Sequence, residues 1–187
     1  FNAAVKKAAE EALKAQGCDV VVSDLYAMKF KATATEDDVT GETLRYGEDY
    51  DRMKKLKDAD LVIFQFPMYW FTMPAIMKGW IDRVLTKGLP SALRNPTNKK
   101  AMLSFTTSSH ETMFSASGIN GDINVTLWPI QNGILHFCGF QVLPPQIFWA
   151  PAYVPQEARA SMLETWTGRL QGLLNEAPFF LPCCQDW

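Results

Sequence analysis

The hydrophobic pattern is clearest between Ala59 and Leu85, where a strand and then a helix are predicted. Residues Leu61 to Phe66 form a run that is apolar except for Gln65, which is typical of a strand buried on both faces of a parallel sheet. After Pro74, apolar side chains recur at spacings of three and four, which predicts a helix with one apolar face. Three consecutive aromatic residues, at positions 69–71, stand between the two elements.

The rest of the chain alternates between helical and strand patterns. Helices are predicted over residues 3–16, 51–58, 74–85, 123–138 and 156–175, and strands over residues 18–25, 61–66, 99–107 and 140–148. This alternation favours an α/β fold with a doubly wound parallel sheet. The first helix has no strand before it, so we expect the first strand to be missing from this chain. With that strand restored, the order matches a flavodoxin-like sheet.

We expect one domain over residues 1–187, with the last helix and tail at residues 156–187. Residues 33–50 are polar and acidic and are predicted to form a surface loop. The apolar side chains of the last helix are expected to face inward: Met162, Leu163, Trp166, Leu170, Leu173 and Leu174.

Composition narrows the classes of function. The net charge of −2 argues against nucleic acid as a partner, because phosphate binding needs a basic surface. No apolar run is long enough for a membrane span, so we expect no membrane partner. The chain begins at Phe1 without a methionine, and the natural N-terminus is therefore expected to be missing. The four cysteines have no framework spacing, which favours a reducing, cytosolic location.

Two loops follow central strands in the predicted sheet and form the candidate site. One contains Pro67, Met68 and the three aromatic residues, and the other is Thr106 to Ser109. In open α/β sheets ligands bind at the carboxyl ends of the strands. Aromatic rings can cover the face of a heterocycle while hydroxyls and backbone N–H groups bond its edge, as a flavin would require. The alternative is that the aromatic residues only cap the core.

Other motifs contribute less. No GxGxxG and no P-loop sequence is present, which gives no support to a Rossmann fingerprint or a P-loop NTPase. The two histidines are far apart and are not backed by carboxylates in a triad order. We expect His110 to be exposed to solvent and His136 to be a core or interface residue.

Long segments of this sequence resemble those of the animal FAD-dependent quinone reductase family, which includes DT-diaphorase and the dihydronicotinamide riboside:quinone reductase. They are SDLYAM from Ser23, ADLVIFQFP from Ala59, PAIMKGWIDRV from Pro74 and LWPIQNGILHFCGFQVL from Leu127. The similarity covers nearly the whole chain. At the C-terminus the chain is closer to the short riboside-dependent member, because it stops soon after the last helix.

The resemblance implies a set of site residues. The cofactor-binding positions are expected to be Phe1, Asn2, Pro67, Met68, Tyr69, Trp70, Phe71, Thr106, Thr107, Ser108, Ser109 and Arg159. Ser108 and Ser109 stand where the family has a pair of glycines. The quinone is expected to contact Trp70, Phe71, Met113, Asn120, Gly133 and Phe137 in a cavity at a homodimer interface.

Two catalytic positions depart from the family. Its tyrosine beside the flavin aligns with Phe114, which cannot donate a hydrogen bond or relay a proton. The histidine that DT-diaphorase uses aligns with Asn120, as it does in the riboside-dependent member. We therefore expect reduced but not abolished activity. The chain is also shorter than its relatives after Gly41, after Tyr50 and between Gly88 and Asn98.

The riboside-dependent member has a metal site that is incomplete here. Asn132 replaces one of its two histidines, His136 keeps the other, and Cys183 or Cys184 could supply the late cysteine. Two ligands make a poor zinc site, so no bound metal is expected.

The resemblance implies a homodimeric FAD enzyme that reduces quinones by two electrons in a ping-pong hydride transfer. The donor would be a reduced nicotinamide, with dihydronicotinamide riboside favoured over NAD(P)H. Two alternatives remain open. One is an FMN-dependent NAD(P)H reductase or azoreductase on the same fold, and the other is a non-catalytic flavin or small-molecule binding protein.

Overall fold

The computed structural model describes residues 1–36, 38, 54–85 and 99–179. Within them the helices are α1 (Asn2–Ala15), α2 (Ala75–Val84), α3 (Ile123–Ile130) and α4 (Gln156–Gly172), and the strands are β1 (Leu61–Pro67), β2 (Lys100–Thr107), β3 (Gln141–Val142) and β4 (Gln146–Trp149). Short turns of 3₁₀ helix cover Glu111–Phe114 and Leu173–Asn175, and a π-helical turn covers Gln131–His136. Residues 54–58 are also helical.

The sheet is parallel, with β2 in its centre. β1 pairs with β2 from Leu61 opposite Lys100 to Pro67 opposite Thr106. On its other side β2 pairs with both β3 and β4, and its last residue, Thr107, lies opposite Trp149. The strand predicted over residues 140–148 is therefore two short strands, because the prolines between them have no N–H for the ladder.

Helices cover both faces of the sheet, which confirms the doubly wound prediction. Alternate residues of each strand point to opposite faces, so each face has its own cluster of buried side chains. The α2 and α3 face is formed mainly by Phe64, Phe66, Trp80, Leu103, Phe105 and Leu127. The α1 and α4 face is formed mainly by Val5, Leu13, Met102, Phe148, Trp166 and Leu170.

Most helix predictions agree with the structure. Pro74 immediately precedes α2 as its N-cap residue, and the helix predicted after residue 123 continues beyond α3 as the π turn. The inward position predicted for Leu174 is wrong. The chain leaves α4 in a 3₁₀ turn there, which buries Leu173 fully and leaves 43% of Leu174 exposed. The predicted loop at residues 33–50 lies mostly outside the described residues.

The strand predicted at residues 18–25 is wrong. Residues 18–24 are extended, but they pair with no strand in the described part of the chain. Val21 is 63% exposed and Val22 is 42% exposed, although both have the side chains of a buried strand. A strand requires a neighbour for its backbone N–H and C=O groups, and a hydrophobic pattern does not report that neighbour.

A buried ion pair holds residues 30–38 against α2. Arg83 Nε donates to Asp38 Oδ2 at 3.0 Å, and Arg83 Nη1 donates to the Lys31 carbonyl oxygen at 2.7 Å. The N–H and O–H of Thr35 donate to the same carboxylate oxygen at 2.6 and 3.0 Å. Burial raises the pKa of Asp38, but the hydrogen bonds from Thr35 and Arg83 outweigh burial and hold that pKa below its ordinary value.

Among the described residues no helix has the length and apolar character needed to cross a membrane.

Candidate functional site

Three loops leave the sheet at the same edge, because β1, β2 and β4 all end there. The ladder between β1 and β2 continues one residue further, with the Met68 N–H donating to the Thr106 carbonyl oxygen at 2.8 Å. On the other side the Ala150 N–H donates to the Thr107 carbonyl oxygen at 2.9 Å. The residues after each strand are therefore held close together at the carboxyl edge, where ligands bind in open α/β sheets.

The loop after β1 is a tight turn of four residues. Tyr69 and Thr72 exchange two backbone hydrogen bonds, each 3.0 Å long. The two central residues, Trp70 and Phe71, have φ angles of +47° and +63°. Asn and Gly are the usual residues at such positions, because a larger side chain is disfavoured in the left-handed region. The turn leaves the Trp70 side chain 93% exposed at the edge of the sheet.

A cavity of about 530 Å³ lies between this turn and the loop after β2. Its lining residues are Met68, Tyr69, Trp70, Phe71, Thr107, Ser108, Ser109 and Phe114. One wall is aromatic and the opposite wall carries hydroxyl groups. Thr107 is buried, and its Oγ1 accepts a hydrogen bond from the Ser109 N–H at 3.1 Å. The cavity thus offers apolar surface for a flat ring beside polar groups for the edge of that ring.

Phe114 closes the inner end of the aromatic wall. It belongs to the 3₁₀ turn after β2 and is only 6% exposed. Its ring centroid lies 5.8 Å from that of Phe71 with an interplanar angle of 66°, and 5.7 Å from that of Trp149 at 35°. Gly118 allows the loop to fold back, since a Cβ there would lie 2.5 Å from the Met113 carbonyl oxygen.

The N-terminus of α1 lies at the same edge of the sheet. Asn2 Nδ2 donates to Thr106 Oγ1 at 3.1 Å, and Gln65 Nε2 donates to the Asn2 carbonyl oxygen at 2.8 Å. Asn2 Oδ1 is buried and has no hydrogen-bond partner among the described residues. Phe1 packs edge-on against Phe148, with their centroids 5.4 Å apart. The first N–H groups of α1 have no intrahelical acceptors, so this helix end favours an anion.

Comparison with known proteins assigns the chain to a family. A family model described as "Flavodoxin-like fold" matches residues 1–170. The chain is 45% identical to ribosyldihydronicotinamide dehydrogenase [quinone] of Pongo abelii over 100% of this chain and 91% of that protein. It is 46% identical to NAD(P)H dehydrogenase [quinone] 1 of Rattus norvegicus over 96% of this chain and 75% of that protein. The chain belongs to the animal quinone reductase family.

A solved structure agrees with this membership. A crystal structure from Klebsiella pneumoniae, described as a candidate quinone reductase, superposes with a TM-score of 0.87 at 35% identity. The match covers 95% of this chain and 81% of the bacterial one. The flavodoxin-like fold predicted from the sequence is confirmed by this match and by the family model.

The structure brings together only part of the site that the quinone reductase family implies. The residues at positions 68–71 and 107–109 line the cavity, as does Phe114. Pro67 and Thr106 are not in that lining but precede it directly, as the last pair of the ladder between β1 and β2. Arg159 lies on α4, where its Nη1 donates to the Val154 carbonyl oxygen at 2.9 Å and so braces the loop after β4.

Four positions expected to contact the quinone or take part in catalysis do not line this cavity. The Asn120 N–H donates to the Met113 carbonyl oxygen at 2.9 Å, which holds both residues in the loop after β2 but outside the lining. Gly133 is in the π turn, and Phe137 follows that turn with 55% of its side chain exposed. Their roles toward a quinone stay predictions.

The histidines and the metal prediction have mixed outcomes. His110 is exposed, as predicted. His136 is exposed in the single chain as well, so a place in the core is wrong, and a place at an interface stays a prediction. Cys183 and Cys184 lie outside the described residues, and the prediction about metal therefore stays a prediction.

Trp149 was not predicted from the sequence, although it contacts Phe114 in the wall of the cavity. It ends β4 beside Thr107, and its ring contacts that of Phe114, which in turn contacts Phe71. The sequence did contain a signal for it. Aromatic residues follow β1 and hydroxyl residues follow β2, and Trp149 is an aromatic residue at the end of a third parallel strand, β4.

Proposed function

We propose that this chain binds FAD and reduces quinones by two electrons, using electrons from a reduced nicotinamide. The observation that supports this function best is the cavity of about 530 Å³ between an aromatic turn and a hydroxyl-bearing loop at the carboxyl edge of the sheet. Its volume lies in the range of small-molecule and cofactor sites, roughly 300–1,000 Å³. The names of the animal relatives point to the same reaction class.

The residues of the cavity fit a flavin. An isoalloxazine ring has apolar faces and an edge of carbonyl oxygens and nitrogens. Trp70 presents a 93% exposed ring from a turn that has left-handed φ angles, so it needs a flat ligand to cover it. Thr107 and the two serines after it supply hydroxyl and N–H groups for the polar edge. Bound flavin would supply the hydride transfer between nicotinamide and quinone.

The N-terminal end of α1 supplies a phosphate site that either flavin could use, and FAD is favoured over FMN by membership of the animal quinone reductase family. The buried, unpaired Asn2 Oδ1 and the first N–H groups of α1 lie next to Thr106 at the carboxyl edge. The N–H groups are donors that suit a flavin phosphate, whereas Asn2 Oδ1 is an acceptor that suits a neighbouring hydroxyl. We infer that Arg159, which braces the loop after β4, lies toward the adenine end.

The side chains that line the cavity can bind and cover a ligand, but the two positions expected to take part in catalysis do not supply a proton donor there. Phe114 has no proton to donate, and Asn120 lies outside the cavity lining. We therefore expect turnover to be slower than in relatives that carry the tyrosine and histidine. A missing donor in comparable oxyanion sites typically lowers kcat by about 10²–10³.

We infer that the enzyme is a homodimer with the quinone site at its interface. Several apolar side chains are strongly exposed: Trp70 at 93%, Ile119 at 87%, Val125 at 75% and Phe137 at 55%. A second copy would cover such residues and would bring Phe137 and Gly133 toward the cavity. Sedimentation analysis of the wild type and of Phe137→Asp tests this, and a wild-type monomer would refute it.

The preferred donor is dihydronicotinamide riboside, and we also infer a cytosolic location. The donor preference rests on Asn120, which stands where DT-diaphorase has a histidine and the riboside-dependent member of the family has an asparagine. Steady-state assays should give a higher kcat/KM with the riboside than with NADPH, and equal values would contradict it. The location rests on the cysteine spacing of the sequence and on Cys18 and Cys138, which are both free among the described residues, and cell fractionation tests it.

The decisive experiment is to purify the chain, record its visible spectrum, and weigh the released cofactor. FAD and bleaching by a reduced riboside, followed by reoxidation with a quinone, support the proposed function. FMN supports an FMN-dependent reductase or azoreductase, and flavin that does not bleach supports a non-catalytic binder. A colourless chain that does not take up FAD overturns all three.

A matched pair of variants locates the site. Trp70→Ala should weaken FAD binding by about ten-fold or more, because stacking on an aromatic ring is typically worth roughly 1–3 kcal/mol. Tyr26→Ala removes another exposed aromatic ring, 68% exposed and outside the cavity, and should leave FAD binding unchanged. Equal effects of the two substitutions would mean that the flavin binds elsewhere.

A further inference from the structure

The aromatic wall of the cavity is connected to the sheet through a residue that does not line the cavity, Trp149. It is the last residue of β4 and lies opposite Thr107 in the parallel ladder. The next residue, Ala150, is fully buried, has a φ angle of +47°, and donates its N–H to the Thr107 carbonyl oxygen at 2.9 Å. The backbone on both sides of Trp149 is therefore held by β2.

Phe114 connects Trp149 to the Tyr69–Thr72 turn through ring contacts. Its ring contacts both Trp149 and Phe71, at centroid distances of 5.7 and 5.8 Å. The contact with Phe71 is edge-to-face, with an interplanar angle of 66°, which is a favoured geometry for an aromatic pair. Because Phe114 is only 6% exposed, the packing of these neighbours restricts the positions that its ring can take.

The turn requires such support. Trp70 and Phe71 both occupy the left-handed region, which side chains with a Cβ rarely adopt, and they do so in succession. Their turn is closed by the two hydrogen bonds between Tyr69 and Thr72, and Trp70 is almost fully exposed and packs against little. The contact between the rings of Phe71 and Phe114 is thus one through which the fold can hold this conformation.

We propose that Trp149 is a positioning residue for the cofactor site. Its ring holds Phe114 against Phe71, and this contact keeps the Tyr69–Thr72 turn in its left-handed conformation with Trp70 presented to a planar ligand. The identity of that ligand rests on the proposed function, whereas the support of the turn does not.

The first test measures the turn without any ligand. Trp149→Leu keeps an apolar side chain but removes the aromatic face, and Trp149→Phe keeps a ring. In Trp149→Leu the amides of Tyr69 and Thr72 should exchange with solvent roughly five-fold faster or more, since an aromatic pair is lost. Amides in the buried part of α1, such as that of Ala9, should keep their rate. Trp149→Phe should exchange like the wild type.

Two exchange results would overturn the proposal. If the Thr72 amide is no faster in Trp149→Leu, the turn does not depend on Trp149. If the α1 amides accelerate by the same factor, Trp149 acts on global stability alone.

The second test titrates FAD into flavin-free protein. Trp149→Leu should weaken FAD binding by roughly two- to ten-fold, and the same substitution should have no effect in a Phe71→Gly background, where the contact it supports is gone. An equal loss in both backgrounds would overturn the proposed route through Phe71. If the wild type does not bind FAD, the proposed function fails, and the exchange measurement still decides the role of Trp149.

Discussion

Replacing Trp70 by asparagine should stabilise the fold while it weakens the cofactor site. Trp70 has a φ angle of +47° and is 93% exposed, so its ring adds almost no buried surface. A residue with an ordinary Cβ in the left-handed region costs about 1–2 kcal/mol, and asparagine tolerates this region because its short amide bonds locally. We expect Trp70→Asn to gain about 1 kcal/mol, which raises Tm by roughly 2–4 °C for a chain of this size.

Trp70→Ala is the matched control, because it removes the same ring but keeps an ordinary Cβ at the same φ angle. Its stability should stay within about 0.5 kcal/mol of the wild type. Calorimetry and urea unfolding of the flavin-free proteins, at one fixed protein concentration, measure the difference. Both variants should lose FAD affinity to a similar extent, since neither can stack on a flat ring.

Two results would refute this reasoning. If Trp70→Asn is no more stable than Trp70→Ala, the left-handed backbone is not a cost that the tryptophan imposes. If both variants bind FAD as tightly as the wild type, the exposed ring has no cofactor to cover it. The predicted combination, higher stability with weaker binding, is expected when backbone strain is kept at a functional site.

Other predictions concern the framework of the site. Gly79→Ala should destabilise by about 1–3 kcal/mol, because its Cβ would overlap the Ala32 carbonyl oxygen, whereas Gly168→Ala in α4, with nothing within 4 Å, should be neutral or stabilising by about 0.5–1 kcal/mol in urea unfolding. Asp38→Asn should lose about 1.5–3 kcal/mol at neutral pH. The folded pKa of Asp38 is lowered, so its contribution is complete above the unfolded pKa and disappears as pH falls through the folded pKa. Wild type and Asp38→Asn should therefore converge in acid, and a gap independent of pH would contradict this.

The helices were predictable because their hydrogen bonds are local. α1, α2 and α4 each show apolar side chains at spacings of three and four, and each forms within three residues of its predicted bounds. The buried strands β1 and β2 were predictable from their apolar runs for a related reason, since both of their faces are covered by helices.

The candidate site was only partly predictable. That the aromatic turn and the hydroxyl loop would meet follows from the rule that parallel strands end at one edge of the sheet. The position of Phe114 between Phe71 and Trp149 could not be read in this way. It depends on how the loop after β2 folds back at Gly118, and that path is set by contacts between residues far apart in sequence.

Residues 18–24 show which part of a strand the sequence does encode. The segment runs antiparallel to α1, because the Cys18 N–H donates to the Leu13 carbonyl oxygen at 3.2 Å, while Asp24 binds Lys6 Nζ at 2.8 Å near the other end of the helix. β1 runs the same way, since its Gln65 reaches the first turn of α1. The segment is therefore parallel to β1, as a strand of this sheet should be.

Its side chains also face as strand residues do. Val20 packs in the α1 and α4 cluster with Ile63 of β1, and Leu25 packs in the α2 and α3 cluster with Phe64. The direction is thus in place and Val20 and Leu25 pack on opposite faces, whereas Val21 and Val22 are exposed and residues 19–23 donate no backbone hydrogen bond within the described chain. Hydrophobic alternation specifies the layer in which a segment packs, and the adjacent strand specifies whether it joins a ladder. A pattern-based strand prediction should therefore be tested first by its packing faces and only then by its pairing.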